Sequence, residues 1–94
     1  MAKRATKSRR NIFLDLGFPA HEASVMLLRA QRAEALRAWM ERKHLTQAQA
    51  AKRLGIAQPR VSDIAGGKVE LMSLDYLVGL CAKAKVDVGL RLAA

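Results

Sequence analysis

The apolar residues in the middle of the chain recur at helical spacing. Between residues 20 and 43 they return every three or four positions, which predicts one long amphipathic helix or two helices in tandem. The positions expected to face inward are Ala23, Met26, Ala30, Ala33, Leu36 and Met40. The opposite face carries charged side chains that we expect to be solvated, namely Arg29, Arg32, Glu34, Arg37 and Glu41. Trp39 is expected in the core or at a contact between subunits.

Two shorter helical segments follow, joined by a glycine turn. Thr46 offers its hydroxyl oxygen as the N-cap of a helix over residues 47–54, and Gly55 is expected to end that helix in the left-handed conformation. A second segment begins near Gln58 or Pro59 and runs to residue 65, because proline is well tolerated in the first turn of a helix. The positions expected on its inner face are Val61 and Ile64.

The last part of the chain predicts one more helix and a strand. Ser73 can cap a helix over residues 74–84. The positions expected to face inward on this helix are Leu74, Leu77, Val78 and Cys81. Residues 86–92 alternate apolar and polar side chains with period two, which is typical of a short β-strand. A lone strand needs a partner, and the same strand of a second subunit would supply one, so the pattern predicts a homodimer.

The beginning of the chain has two parts of different character. Residues 1–10 carry five positive charges and no large apolar residue except Met1, which predicts a flexible basic arm. Residues 11–18 form a short hydrophobic anchor, which Gly17 and Pro19 interrupt before it can become a long helix. We expect the anchor to pack against the body of the protein or against a partner.

Length and composition favour a single helical domain. With 94 residues, of which 51% are hydrophobic, the chain can build one core. We therefore predict an arm over residues 1–10 and one compact all-α domain of four to five helices over residues 11–94. The single cysteine, Cys81, excludes an internal disulfide and a cysteine-cluster zinc site, and no cofactor is expected. No apolar run is long enough for a secretory signal or a membrane span, which predicts a soluble, cytoplasmic protein.

Charge and local architecture together point to nucleic acid. The formal net charge is +9, from 17 basic and 8 acidic residues, and such an excess suits a polyanionic partner, although a generically basic protein is the alternative. Residues 45–68 predict two short helices separated by a tight turn. This arrangement projects the start of the second helix outward, where it can enter the major groove of DNA, which is about 12 Å wide.

In this segment the chain resembles the phage-repressor (Cro-like, XRE) helix-turn-helix family. The residues that carry the resemblance are Leu45, Thr46, Gln47, Ala51, Leu54, Gly55, Ile56, Val61, Ser62, Ile64, Gly67 and Lys68. Residues 11–18, 58–63 and 86–90 also look like those of the HigA-like antitoxins of toxin–antitoxin pairs. The resemblance implies a phage-repressor type of fold and binding to operator DNA. Through the antitoxins it also implies a cognate RNase-type toxin as a partner.

The resemblance also implies roles for individual side chains. Gln47 is assigned to a phosphate contact at the start of the first helix of the pair. The groove-facing side of the second helix is assigned to Gln58, Pro59 and Asp63, with Arg60 and Ser62 flanking them. Two positions depart from the family pattern. Ala57 stands where many members have a capping serine, and Gly66 stands where many have a polar residue that reaches phosphate.

The chemistry of these side chains agrees with such roles. Gln58 can both donate to and accept from adenine, and Asp63 can accept only from a donor such as cytosine N4. Arg60 and Lys68 can neutralise phosphates. Two alternatives remain for this face: Asp63 pairs with Arg60, or the whole face is a solvated surface.

These observations favour a homodimeric repressor that reads a pseudo-palindromic operator in successive major grooves about 34 Å apart. An autorepressing antitoxin is the interpretation nearest to the resemblance, and a stand-alone phage-type repressor is the alternative. Catalysis is disfavoured because His21 and His44 lie far apart and no side-chain cluster has catalytic or metal-ligand spacing. A membrane or RNA-binding module is disfavoured because the chain lacks the aromatic patterns of either. The basic arm would solubilise the protein, follow DNA or order on a toxin.

Overall fold

The structure is a computed structural model, and it describes residues 11–86. Over this range the chain forms five α-helices and no β-strand. In chain order they are α1 Ile12–Asp15, α2 Ala20–Arg42, α3 Gln47–Leu54, α4 Gln58–Ala65 and α5 Leu74–Lys83. The predicted all-α class is confirmed for this range. The predicted arm over residues 1–10 lies outside the described residues, as does the predicted strand over residues 86–92 apart from Val86.

The long helix α2 is one uninterrupted helix of 23 residues that contacts α1, α4 and α5. Leu36 and Trp39 lie in the core, so Trp39 is a core residue. Arg32 is only 3% exposed, and the expectation that its side chain is solvated was wrong. The reason is its spacing: Arg32 precedes Leu36 by four positions and Trp39 by seven, so it lies on the same buried stripe. The thiol of Cys81, on α5, donates to the Arg32 carbonyl over 3.8 Å.

The remaining helices close the core over α2. The buried apolar cluster consists of Ala33, Leu36, Trp39, Ala50, Ala51, Leu54, Val61, Ile64, Val69, Met72, Leu77, Leu80 and Cys81. On α5 the inward positions are Leu77, Leu80 and Cys81, which share one face at helical spacing. Val78 is 39% exposed, so its predicted inward position was wrong. Leu77, Leu80 and Cys81 lie within one arc of the helix at about 100° per residue, and Val78 falls beyond the edge of that arc.

Two helices begin with a side-chain cap, as the sequence predicts. The Thr46 hydroxyl accepts from the Gln49 N–H over 3.1 Å, and the Gln49 side-chain oxygen accepts from the Thr46 N–H over 2.9 Å. This reciprocal pair is a capping box at the start of α3. The Ser73 hydroxyl accepts from the Tyr76 N–H over 3.0 Å at the start of α5. α4 begins at Ala57 with no side-chain cap.

All five helices end in the same way. After each helix one residue adopts a positive φ, and the next N–H donates back to the carbonyl five residues earlier, which is the Schellman arrangement. The positive-φ residues are Gly17, His44, Gly55, Gly67 and Lys85. The donors that follow them are Phe18, Leu45, Ile56, Lys68 and Val86. Four of these donors are apolar, and Leu45, Ile56 and Val86 pack against the core, so three of the five reversals also add to the core.

The hydrophobic anchor forms α1, which contacts α2. Phe13 and Phe18 stack edge to face with ring centroids 6.2 Å apart. The other large apolar side chains of this segment, Ile12, Leu14 and Leu16, are exposed. Within residues 11–86 the phenylalanines of the anchor are therefore partly buried, while its aliphatic side chains stay exposed.

Candidate nucleic-acid interface

The helix α4 has one buried face and one exposed face. Val61 and Ile64 are buried in the core, three positions apart, and hold the helix against α2 and α3. The side chains on the other positions, Gln58, Pro59, Arg60, Ser62 and Asp63, are all exposed. The structure therefore leaves the sequence-predicted residues of α4 accessible to a ligand.

The contact between α3 and α4 is close because small residues line it. Ala50 is fully buried on α3, and Leu54 ends that helix just before the turn. At Gly55 the backbone is left-handed, with φ of 71°, a conformation that an L side chain adopts only with strain. The Lys83 ammonium donates to the Leu54 carbonyl over 3.1 Å and so ties the end of α3 to α5. Together these contacts fix the direction in which the chain leaves α3 and enters α4.

The first turn of α4 presents backbone N–H groups without a side-chain cap. Pro59 lies in this turn, where a residue without an N–H loses no helical hydrogen bond. The side chain of Ala57 has no oxygen with which to accept, so this helix start lacks a side-chain cap. The partial positive charge of the helix N-terminus is therefore open to an anion on the same surface as Gln58.

Arg60 lies over an aromatic ring of another helix. Its guanidinium carbon is 5.2 Å from the ring centroid of Tyr76 on α5, within the range of a cation–π contact. This contact limits the conformations of a long side chain while leaving it exposed at the surface. Sequence reasoning missed Tyr76, because the two residues belong to different helices and meet only in the tertiary structure.

The structure brings Arg60, Asp63 and Lys68 to one surface depression, which Glu70, Leu71 and Met72 also line. Lys68 belongs to this group because of how α4 ends: Gly67 has φ of 78°, and the Lys68 N–H donates to the Asp63 carbonyl over 2.8 Å. The reversal turns the chain back beside its own helix. Asp63, the single carboxylate of α4, thus lines the same depression as the two cations Arg60 and Lys68.

Gln47 does not line this depression. It is half-buried in the first turn of α3. The predicted contacts thus come from two elements, the start of α3 and α4 with the loop that follows it.

Arg37 has a structural role that its position on the charged face of α2 did not indicate. It is half-buried, and its guanidinium donates to the Ile64 carbonyl over 3.3 Å, near the C-terminal end of α4. A cation at that end also interacts favourably with the helix dipole. Arg37 therefore links α2 to the candidate recognition helix through this hydrogen bond. The expectation of a solvated side chain was wrong.

The remaining reactive groups do not form a second site in the described range. Burial raises the pKa of the Cys81 thiol, and the charge of nearby Arg32 opposes that rise only in part. The thiol therefore stays protonated at neutral pH and is a poor nucleophile. Among residues 11–86, no group of three or more His, Cys, Asp or Glu side chains could hold a metal ion. No helix in the same range is long and apolar enough to cross a membrane.

Comparison with known proteins agrees with this geometry at the level of the family. No curated protein matches the chain, and no solved structure matches it. A family model described as a helix-turn-helix domain matches residues 12–92, which include every helix from α1 to α5. The chain therefore belongs to the helix-turn-helix domain family, and this membership supports binding to DNA.

Proposed function

We propose that the protein is a sequence-specific transcriptional regulator that binds double-stranded DNA. The observation that carries this proposal is the exposed face of α4, where Gln58, Ser62 and Asp63 project from a helix whose opposite face is locked into the core. A helix held in this way can enter the major groove without rearrangement, so little conformational entropy is lost on binding.

The proposed reading of bases rests on α4. Gln58, in the first turn, can donate to N7 and accept from the N6 amino group of adenine at the same time, as a bidentate pair. Ser62 can donate or accept at a neighbouring base edge. Asp63 accepts from cytosine N4, and its repulsion from phosphates means that it contributes discrimination more than affinity. Pro59 stiffens the turn that carries these side chains and can contact a thymine methyl group.

Phosphate contacts fix the position of the protein on the duplex. We assign Arg60 and Lys68 to the backbone beside the groove that α4 enters, since both border the depression that contains Asp63. We assign Gln47, the first residue of α3, to a further phosphate. The net charge of +9 supplies the long-range attraction that brings the protein to DNA.

As a repressor the protein would act as a homodimer on two half-sites about 34 Å apart, in the cytoplasm and without a cofactor. The self-pairing of residues 86–92 remains a prediction from the sequence alone. Nothing in this activity requires catalysis, and we propose that the protein is not an enzyme.

The antitoxin role is the finer form of the same proposal, and it rests on the resemblance of residues 11–18, 58–63 and 86–90. The exposed side chains of Ile12 and Leu14 on α1 are apolar surface that a toxin could cover. Co-expression with the product of an adjacent small reading frame tests it. A stable complex that relieves the growth defect caused by that product supports an antitoxin. The absence of both effects leaves the stand-alone repressor.

The test of DNA binding is an anisotropy titration of the purified protein against its own upstream DNA and against a scrambled duplex, at one stated salt concentration. We expect the upstream DNA to bind at least about a thousandfold more tightly than the scrambled duplex. Equal and weak binding to both duplexes would contradict sequence-specific regulation.

Gln58→Ala tests the role of α4 in base readout. We expect it to lower the affinity for the operator by about 1 to 3 kcal/mol and to leave the affinity for the scrambled duplex nearly unchanged, because a base contact is lost while phosphate contacts remain. The control is Lys52→Ala on α3, an exposed position that removes a charge and should change both affinities by a similar factor. A uniform loss for Gln58→Ala on both duplexes would remove Gln58 from base recognition.

A further inference from the structure

Most of the large apolar side chains that are exposed among the described residues belong to two segments. Of the five large hydrophobic residues that are exposed within residues 11–86, three belong to the anchor segment: Ile12, Leu14 and Leu16. A fourth, Leu71, is 99% exposed in the loop between α4 and α5. These two regions are neighbours, because the anchor and the residues just before Leu71 line the same groove.

The groove is apolar and large enough for a protruding side chain. Its volume is about 410 Å³, and its apolar lining consists of Phe13, Leu16, Phe18, Met26, Ala30 and Val69. Within residues 11–86 no side chain of the chain itself fills it. Apolar area of this kind, left in contact with water beside a fully exposed leucine, is typical of a surface that another protein covers.

Two opposite charges border the groove. Arg29 lies on α2, and Glu70 lies on the loop that leads to Leu71. The Nε of Arg29 is buried and has no hydrogen-bond partner among the described residues. Buried polar atoms without partners are costly, so within residues 11–86 this surface leaves a donor that a second molecule could satisfy.

We propose that this groove is an interface between two copies of the chain related by a two-fold axis. Leu71 of each copy enters the groove of the other, and Glu70 of each copy lies opposite Arg29 of the other. A two-fold contact requires one patch to carry both halves of every interaction. This patch does so, since it holds a protruding side chain and an apolar groove, and a cation and an anion.

The chain's own basic arm does not suit the groove. Residues 1–10 carry five positive charges and, apart from Met1, no large apolar side chain to bury there. A second copy offers both an apolar side chain and a carboxylate at the right place. The interface would also border Gly67 and Lys68, in the loop that ends α4, and would fix two copies of α4 relative to each other.

Self-association of the full-length protein without DNA tests the proposal, so its outcome is independent of whether the protein binds DNA. Sedimentation over a concentration series gives the dimer dissociation constant. Leu71→Asp should raise that constant at least about a hundredfold, because two buried leucines are lost per dimer. The matched control is Val78→Asp, another exposed apolar residue, on α5 outside the groove, which should leave the constant within about threefold of the wild-type value.

Charge reversal provides a second measurement on the same interface. Glu70→Arg should weaken the dimer, and the double variant Glu70→Arg with Arg29→Glu should restore it, because the pair is rebuilt with its charges exchanged. Circular dichroism checks that each variant is folded.

Three results would overturn the proposal. The first is a wild-type protein that stays monomeric up to millimolar concentration. The second is equal weakening by Leu71→Asp and Val78→Asp. The third is a dimer that resists Leu71→Asp but is lost when residues 86–94 are deleted, which would assign the interface to the predicted terminal strand.

Discussion

Ala57 is the residue at which α4 begins, and its methyl group cannot accept a hydrogen bond from the helix backbone. At the equivalent position of α5, Ser73 accepts from the Tyr76 N–H. The two helices are of similar length, so they form a natural comparison of a capped and an uncapped start. The missing cap leaves backbone donors of α4 free for a DNA phosphate, at a cost in stability.

Ala57→Ser should therefore stabilise the protein. We expect its free energy of unfolding to rise by about 1 kcal/mol, because the hydroxyl can accept from a backbone N–H in the first turn of α4. Urea denaturation measures the change. Ser73→Ala is the matched control and should lower the free energy of unfolding by a similar amount. An unchanged midpoint for Ala57→Ser, with a lowered one for Ser73→Ala, would mean that the start of α4 cannot use a cap.

At the scale of the elements, the shared ending of the five helices explains why such short segments pack so closely. Each helix stops at a left-handed residue, and in four cases an apolar side chain follows at once. At the end of α4 the residue in that position is Lys68 instead. The same kind of helix ending that adds an apolar side chain to the core after α2, α3 and α5 therefore brings a cation beside Asp63 after α4.

Gly55 is the left-handed residue on which the direction of α4 depends. Gly55→Ala should lower the free energy of unfolding by about 1 to 2 kcal/mol, because a Cβ is strained at φ of 71°. Gly79→Ala is the control, since Gly79 lies within α5 with no atom within 4 Å of an added Cβ. We expect it to raise the free energy of unfolding by up to about 1 kcal/mol. Thermal unfolding of both variants separates the effects, and the same sign for both would argue against backbone strain at Gly55.

At the scale of the whole molecule, positive charge is not confined to the candidate interface. Arg42, Lys43, Arg53, Lys83 and Lys85 gather where α2, α3 and α5 end. Cations at helix C-termini are stabilised by the helix dipoles. This cluster lies at the opposite end of α3 from Gln47, so part of the net charge contributes to stability and long-range attraction instead of to contacts beside α4.

The basic arm carries five of the positive charges and should control the salt dependence of DNA binding. Deleting residues 1–10 should lower the slope of log K against log salt by up to about 4, while the ratio of operator to scrambled affinity stays within about threefold. A full-length variant with serine at the five basic positions separates charge from chain length and should behave in the same way. An unchanged slope in both variants would mean that the arm does not contact phosphates.

Much of the fold follows from local signals in the sequence. Thr46, Gly55 and Ser73 were assigned correctly because a cap or a left-handed glycine acts within one helical turn. Val61 and Ile64 were assigned correctly because their spacing places both on one face of α4. The same spacing leaves the other positions of α4 exposed, so the sequence alone indicates which residues of this helix can contact a ligand.

Only the tertiary structure decided which neighbour each helix face meets. The spacing of Arg32 places it on the buried stripe of α2, but the position of α5 on α2 decides that this charged residue is covered and that Val78 is not. The same holds for Arg60 over Tyr76, for Arg37 at the end of α4, and for the groove beside α1. The local signals of the sequence determined where helices begin, end and turn. Contacts between residues far apart in the chain determined the surfaces that those helices form.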